Sequence, residues 1–235
     1  MRLKFFFFGR HSFCSGIFLL LTVLCISGQA QKDASFSLAV LEYRGGGDWY
    51  ANPTSVPNLA EFCRKELKMR IGETESVDVG SPELFNYPFV HMTGHGNVVF
   101  NATDRNNLRA YLLGGGFLHI DDNYGMDPFI RTQLNQLFPE KELVEIPFDH
   151  PIYHKEYDFY DGLPKVHEHD GTGPRGYGIF HEGRILLFYS FESDLGDGWE
   201  DQSVHNDPQQ IRLQALKMGA NLVSYAFTGE KPPAP

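Results

Sequence analysis

The sequence predicts one α/β domain with a doubly wound, mainly parallel sheet and a late β-hairpin. Strand-like and helix-like segments alternate along the chain, which is typical of a parallel sheet with helices on both faces. The segment FSLAVLEY (36–43) is almost continuously apolar, as expected of a strand buried on both faces. YGIF and RILLFYS flank Glu182-Gly183, and two strands around such a turn predict a hairpin.

The first half of the domain is predicted to contain four strands and two helices. A helix around 56–69 follows the first strand because its apolar residues share one face, and Cys63 lies on that face. Thr103-Asp104 begins the second helix, and the glycines at 114–116 end it. The other strands are short apolar segments: SVDV (76–79), FVHM (89–92) and FLHI (117–120).

The second half is predicted to contain two helices, a fifth strand and a long loop. Asp127-Pro128 and Asp207-Pro208 each predict a helix start, with a cap residue followed by a proline in the first turn. LVEI (143–146) is the candidate strand. Residues 147–176 are polar and rich in His and Gly, which predicts a long functional loop. The acidic segment DLGDGWED (194–201) predicts a solvated loop that lacks the full EF-hand pattern.

The N-terminal segment has the features of a signal peptide. Arg2, Lys4 and Arg10 supply positive charge, FCSGIFLLLTVLCISG supplies an apolar run, and small residues end it at Gly28-Gln29-Ala30. We predict a cleaved signal peptide at 1–30, export to the periplasm or secretion, a domain at 31–228 and a flexible tail at 229–235. An uncleaved membrane anchor is the alternative, because the apolar run nearly reaches spanning length.

Charge and cysteine content narrow the classes of partner. Removal of three basic residues with the signal peptide changes the formal charge from −10 to −13. An acidic domain of this kind disfavours nucleic acid and, after signal cleavage, an anionic membrane as partners, but it permits cations. Cys63 is the one cysteine that remains after cleavage, so the mature chain is predicted to have no intramolecular disulfide.

Three glycine-containing loops follow predicted parallel strands: RGGGDWY (44–50), TGHGN (93–97) and DDNYG (121–125). Ligands of doubly wound folds bind outside the carboxyl ends of the strands, so these loops predict the ligand site. The candidate ligand-binding residues are these loops' glycines, polar residues and aromatic residues, joined by one histidine and one tryptophan from later segments: Gly46, Gly47, Asp48, Trp49, Gly94, Gly96, Asn123, Tyr124, His150 and Trp199.

Asp121 and Asp122 lie side by side at the end of the central strand, and two interpretations are open. In the first, they bind a divalent cation or act as an acid/base pair, since adjacent carboxylates repel unless one is neutralised. In the second, one aspartate caps backbone amides and the other faces solvent, because adjacent side chains on an extended chain point oppositely.

Several histidines are further candidates for the interpretation that this edge binds a divalent cation or acts as an acid/base site. His95 lies between two glycines and is the best single candidate for a general base, so His95, Asp121 and Asp122 form a hypothetical catalytic set. His167 and His169 would share a face if extended, which makes them candidate metal ligands together with the two aspartates. Their spacing matches no established zinc motif. His91 and His119 lie inside apolar strands, where most histidines are structural.

The segments YRGGGDWY, MTGHG, GGGFLHIDDNYG, HPIYH and DLGDGWE together resemble the bacterial domain of unknown function 4159 family. YLLGGGFLHIDD and HEGRILLFYSFESDLGDGW also resemble the ThuA-like branch of the class I glutamine amidotransferase-like superfamily. That resemblance implies a flavodoxin-like sheet whose most important residue follows the central strand. Members of the family lie in some bacteria beside MoxR-type ATPases and von Willebrand A proteins.

The chain departs from amidotransferases at their nucleophile. Those enzymes place an activated cysteine at the elbow after this strand, and here Asp121, Asp122 and Asn123 occupy that region. Glutamine hydrolysis by that mechanism is therefore excluded. The resulting hypothesis is a binding module for a small polar ligand, or for an envelope protein. The alternative is a metal-assisted or acid/base hydrolase acting on a polar, carbohydrate-like substrate.

Overall fold

The computed structural model describes Met1 and residues 35–228. The predicted signal peptide and tail lie outside the described residues. Seven strands and six helices were found in the described part of the chain: β1 (Leu38–Glu42), α1 (Ser55–Leu67), β2 (Glu75–Asp78), β3 (Phe89–Met92), α2 (Ala102–Leu113), β4 (Phe117–Asp121), α3 (Asp127–Leu137), β5 (Val144–Glu145), β6 (Arg175–His181), β7 (Arg184–Phe191), α4 (Leu195–Trp199), α5 (Gln202–His205) and α6 (Gln209–Thr228). None of the described helices combines the length and the hydropathy that a membrane span requires.

One sheet holds all seven strands in the order β2-β1-β3-β4-β7-β6-β5. The first four pairings, from β2 to β7, are parallel, and β6 runs antiparallel to both of its neighbours. The predicted doubly wound α/β fold and the late hairpin are therefore confirmed. β4 lies at the centre of the sheet, so the residues that follow it are flanked by loops from both sides.

Two apolar layers cover the two faces of the sheet. Because strand side chains alternate, Leu118 and Tyr189 join the layer that includes α2 and α3, whereas Phe117 and Phe188 join the layer that includes α1 and α6. Cys63 is fully buried in the second layer, as predicted. Burial on both faces explains why the parallel strands have continuous apolar sequences.

Most predicted elements are present, with shifted ends. α2 begins at Ala102 rather than at Thr103-Asp104, because Asn101 accepts hydrogen bonds from the backbone amides of Thr103 and Asp104 in a capping box. Asp127 is the first helical residue of α3 rather than its cap, and its carboxylate accepts from Tyr189 and Arg131 instead. β5 has two exposed residues and pairs only with β6, at the edge of the sheet.

The prediction of a solvated loop at 194–201 is wrong. Leu195–Trp199 forms a short buried helix, α4, and Trp199 is fully buried against α6. Glu200 then reaches α1, where its carboxylate accepts from the backbone N–H groups of Thr54 and Ser55. These N–H groups lie at the N-terminus of α1, where backbone donors lack acceptors within the helix, so Glu200 links the end of α4 to the start of α1 across 145 residues of sequence.

Candidate functional site

A chain of four buried polar side chains crosses the carboxyl ends of β3, β4 and β7. The register pairs His91 with His119 and Asp121 with Ser190, and strand alternation places all four side chains on the α1/α6 face of the sheet. His91 Nδ1 lies 3.0 Å from His119 Nδ1, His119 Nε2 lies 2.9 Å from Ser190 Oγ, and Ser190 donates to Asp121 Oδ1 at 2.5 Å. None of the four is exposed.

With Asp121 ionised, the hydrogen bonds of this chain have one consistent order. Ser190 donates its single hydrogen to the nearer acceptor, Asp121, and therefore accepts from His119 Nε2–H. His119 Nδ1 then accepts from His91 Nδ1–H, which leaves His91 Nε2 as an acceptor. Among the described residues that nitrogen has no hydrogen-bond partner. The sequence expectation that both strand histidines are fully satisfied is therefore wrong for His91.

Burial governs the pKa values along this chain. Desolvation raises the pKa of Asp121 to about 8, the charge of Asp194 adds to the increase, and the hydrogen bonds from Ser190 and Gly196 oppose it. Desolvation also lowers the pKa of His91 to about 3 and holds that of His119 well below its usual range. Both imidazoles are therefore neutral at physiological pH.

The two adjacent aspartates occupy different surroundings, because they project from opposite faces of the sheet. Asp121 also accepts from the backbone amides of Leu195 and Gly196, at 3.2 Å and 2.6 Å. Asp122 caps the turn before α3 by accepting from Met126 N at 2.9 Å, and its Oδ2 lies 3.2 Å from the Tyr189 hydroxyl, which donates its single hydrogen to the nearer Asp127. Capping is thus observed for both, but neither faces solvent, since Asp122 is only 3% exposed.

A strained turn after β7 carries further carboxylates to this edge. Glu192 and Asp194 both adopt the left-handed conformation, with φ of 56° and 55°, which non-glycine residues rarely adopt. Glu192 is buried and pairs with Lys165 at 2.9 Å. Asp194 is also buried, and burial and the charge of Asp197 raise its pKa to about 7.

Two histidines of the long loop and one of α5 meet these carboxylates. His167 lies between Asp197 and Asp207, with Nδ1 3.0 Å from Asp197 Oδ2 and Nε2 3.1 Å from Asp207 Oδ1. The hydrogen bond to Asp197 raises the pKa of His167 to about 9. His205 Nε2 lies 3.8 Å from Asp197 Oδ1. We call His167, Asp197 and His205 the His-Asp-His cluster.

Of the predicted metal candidates, only His167 lies in this cluster. His169 instead contacts Asp194 Oδ2 through Nε2 at 2.5 Å, and its ring stacks on Tyr124 with centroids 4.5 Å apart. Asp121 and Asp122 lie in the hydrogen-bonded arrangements described above. Residues 163–174 form no helix or strand, but both histidines reach the same carboxylate oxygen: Asp194 Oδ2 lies 3.6 Å from His167 Nδ1 and 2.5 Å from His169 Nε2.

The loops after β1 and β3 pack closely on each other beside this edge. His95 is exposed and pairs with Asp48, which accepts from both its backbone N–H and its ring. Gly47 donates its N–H to Asn97 O, and a Cβ on Gly47 would lie 2.7 Å from that oxygen. Gly94, at φ 135°, likewise has no room for a Cβ beside Tyr43. These glycines therefore permit close approach of two loops, while Gly46 and Gly96 form open turns with positive φ.

Asn52 connects the edge to a neighbouring cavity. Its Nδ2 donates to Asp197 Oδ1 at 2.7 Å, and its Oδ1 accepts from Asn123 Nδ2 at 3.3 Å. Asn52 also lines a cavity of about 260 Å³ together with Trp49 and Tyr50. Trp49 and Tyr50 contact each other edge to face, and Tyr50 is exposed.

Two predicted ligand-binding residues do not lie on the surface of this edge. The ring of His150 contacts Phe180 and Tyr225, and Tyr225 accepts from Ile185 N near the start of β7, so His150 lies toward the opposite edge of the sheet. Trp199 lies beneath the site in the core: it is 0% exposed, its ring centroid lies 5.0 Å from that of His91 and 5.3 Å from that of His119, and its indole N–H donates to Ala215 O at 2.8 Å. A histidine of an irregular segment has no periodicity that could place it.

Sequence reasoning missed several residues that build the site. Asn52 and Ser190 are short polar residues without a motif, and Asp207 was interpreted only as a helix start. The two-residue alternation of β7 could have placed Ser190 on the face of Phe188, but the pairing with Asp121 depends on the register between β4 and β7.

The fold and this edge define the class of protein: a doubly wound α/β domain with a polar, acidic and histidine-rich site at the carboxyl ends of its strands. The chain belongs to the family described as "Domain of unknown function (DUF4159)", whose model matches residues 37–227. The predicted family membership is therefore confirmed. No curated protein matches the chain.

Proposed function

We propose that the chain is an exported binding module whose carboxyl-end edge binds a small polar ligand. The observation that carries this proposal is a pair of buried acceptors without donors: Asn123 Oδ1 and Asp194 Oδ1 have no hydrogen-bond partner among the described residues. A buried polar atom without a partner costs about 1–3 kcal/mol, so a ligand that supplies donors or positive charge gains that free energy.

The loss of the cysteine that the resembled amidotransferases use favours binding over that form of covalent catalysis. Cys63 lies on the buried face of α1 and is the free cysteine of the described residues. Asp121, in the region where the resembled amidotransferases keep their cysteine, already accepts three hydrogen bonds and is fully buried. The proposal includes descent from the class I glutamine amidotransferase-like superfamily, in which this chain has retained the fold and lost the cysteine nucleophile.

The proposed location is the cell envelope. The pattern of residues 1–30 supports export, and the acidic mature chain disfavours nucleic acid as a partner. Fractionation of cells that produce the full chain tests this part, with N-terminal sequencing of the product. We expect a periplasmic or secreted protein that starts near residue 31, whereas a full-length product held in the membrane contradicts export.

A thermal-shift series tests the ligand site. The purified protein is titrated with monosaccharides, disaccharides and dipeptides in the presence of EDTA, so that metal effects are removed. We expect a saturable rise in Tm for at least one probe, lost in Asn123→Ala but kept in the control Asn135→Ala, which changes an exposed asparagine of α3. No saturable shift with any probe, or an equal response of both variants, refutes the site.

A hydrolase is the second candidate, and the buried chain from Asp121 to His91 favours it. If Asp121 is protonated, the hydrogen bonds of the chain reverse, and His91 Nε2 changes from acceptor to donor. That nitrogen lies beside Gly196, close to Asn52 Nδ2 and Asp121 Oδ2. The chain could therefore move a proton toward a substrate at this edge.

The hydrolase candidate is tested with p-nitrophenyl glycosides, assayed with and without Zn²⁺. Ser190→Ala interrupts the chain with a minimal change in volume, and Ser193→Ala is the matched control because Ser193 is a buried serine that donates elsewhere, to Pro164 O. Release of p-nitrophenol that is reduced only in Ser190→Ala supports the candidate. A wild-type rate equal to the enzyme-free rate refutes it.

A further inference from the structure

We propose that the His-Asp-His cluster binds a divalent transition-metal ion of the zinc class through His167, Asp197 and His205. The three residues offer ligand atoms that all lie within 4.8 Å of one another. This proposal rests on the proposed function, because it names one ligand of the same edge. Nothing in the spacing of these residues along the chain, 30 and 8 positions apart, predicted the site.

The distances within the cluster fit a compact coordination sphere. Ligand atoms around a tetrahedral ion with bonds of about 2.1 Å lie about 3.4 Å apart. His167 Nδ1 lies 3.0 Å from Asp197 Oδ2, and His205 Nε2 lies 3.8 Å from Asp197 Oδ1. The ligand nitrogens of His167 and His205 lie within 4.8 Å of each other.

A buried carboxylate beside the cluster independently indicates a cation. Asp194 is 0% exposed, its Oδ2 lies 3.6 Å from His167 Nδ1, and its Oδ1 has no hydrogen-bond partner within the described part of the chain. Burying an unmatched carboxylate oxygen is unfavourable, and a cation at the cluster would compensate its charge.

Neighbouring residues already orient the side chains that are proposed to bind the metal ion. Asp207 Oδ1 contacts His167 Nε2 at 3.1 Å, which is the carboxylate–histidine arrangement that supports imidazole ligands of metals. Asn52 Nδ2 donates to Asp197 Oδ1 at 2.7 Å and fixes that carboxylate. On binding, the ion takes the place of the proton between His167 Nδ1 and Asp197 Oδ2, and that proton leaves to solvent.

The donor set selects the class of metal. Two imidazoles and a carboxylate suit zinc and similar transition ions, whereas calcium and magnesium prefer oxygen ligands alone. The side chains of His167 and His205 are 27% and 31% exposed, so an ion can enter from solvent. Three protein ligands leave a coordination position for water or for an oxygen of a polar ligand.

Competition titration of the purified protein with Zn²⁺ and a chromogenic chelator tests the site. We expect one equivalent of Zn²⁺ per chain, a rise in Tm on binding, and no comparable response to Mg²⁺. His205→Gln should weaken Zn²⁺ binding by at least about 100-fold, since loss of even an outer-shell partner costs 10–100-fold. His181→Gln is the matched control, because His181 is a partly exposed histidine that also lies beside a carboxylate, 4.0 Å from Glu182, at the turn between β6 and β7.

His205→Gln separates loss of the metal site from loss of the fold. His205 lies on the exposed α5, so His205→Gln retains the fold even if Asp197→Asn, at a more buried position, does not. Zn²⁺ affinity that is equal in His205→Gln and the wild type, or no binding at all, overturns the metal site. If a polar probe still raises Tm in EDTA, the binding module survives without the metal; if neither binds, both proposals fail.

Discussion

Replacement of Gly196 by alanine tests the packing of α4 over the buried polar chain. A Cβ at this position would lie 2.9 Å from Asn52 Nδ2, 3.0 Å from Asp121 Oδ2 and 3.4 Å from His91 Nε2. Real Cβ atoms rarely approach other atoms this closely, so the Asn52 and Asp121 side chains must move. Overpacking of this kind costs about 1–3 kcal/mol. The gain in helix propensity offsets about 0.5–1 kcal/mol of it.

The net expectation for Gly196→Ala is a loss of about 1 kcal/mol in the free energy of unfolding, the difference between the central values of those two effects. Gly173→Ala is the matched control, because a Cβ there would meet no atom within 4 Å and φ lies outside the left-handed range. Urea denaturation followed by circular dichroism measures both, and we expect a lower midpoint for Gly196→Ala with an unchanged slope. Equal midpoints for the two variants would refute the close packing described here.

Three further outcomes are expected. In metal-free buffer, the free energy of unfolding should fall as pH rises from 6 to 9. Asp121 and His167 both have pKa values that are higher in the folded than in the unfolded state, so the stability they contribute is lost as pH rises through their folded pKa values of about 8 and about 9. Asp121→Asn should flatten the pH profile, and an unaltered slope contradicts this. Lys165→Met leaves the buried Glu192 carboxylate unpaired and should lower the free energy of unfolding by about 3–5 kcal/mol in urea titration. The double variant Lys165→Met, Glu192→Gln should lose less, because no unpaired charge remains buried. Cys63 should react with a thiol reagent only after unfolding, since it is 0% exposed and burial raises its pKa to about 12, so rapid labelling of the native protein would contradict its burial.

Local patterns predicted the fold well. Continuous apolar segments identified β1, β3 and β4, because strands of a parallel sheet are buried on both faces, and the turn at Glu182-Gly183 identified the β6–β7 hairpin. The error at 194–201 arose because two glycines and four acidic residues have the composition of a loop. Burial of Trp199 against α6 and the contact of Glu200 with α1 override that local preference.

The candidate site was predicted only in its location. Adjacent Asp121 and Asp122 marked the carboxyl end of the central strand, and their separation to opposite faces follows the strand alternation on which the second interpretation rested. His167 was named as a candidate metal ligand, whereas its partners Asp197 and His205 were not. Asp197 lies in α4, which packs on α6 through Trp199, and His205 ends the exposed helix α5.

By itself, the sequence determined the order of the strands and of the helices α1, α2, α3 and α6, the sheet edge that carries the polar loops, and the absence of a cysteine at the elbow after β4. Those properties depend on residue type and short-range periodicity, which a single chain displays directly. Only the tertiary structure decided that His91, His119, Ser190 and Asp121 form one buried chain and that the His-Asp-His cluster assembles above it. The contacts of the buried chain join residues 28 to 71 positions apart, and those of the cluster join residues 8 and 30 positions apart; strand register and helix packing, rather than spacing, set their geometry.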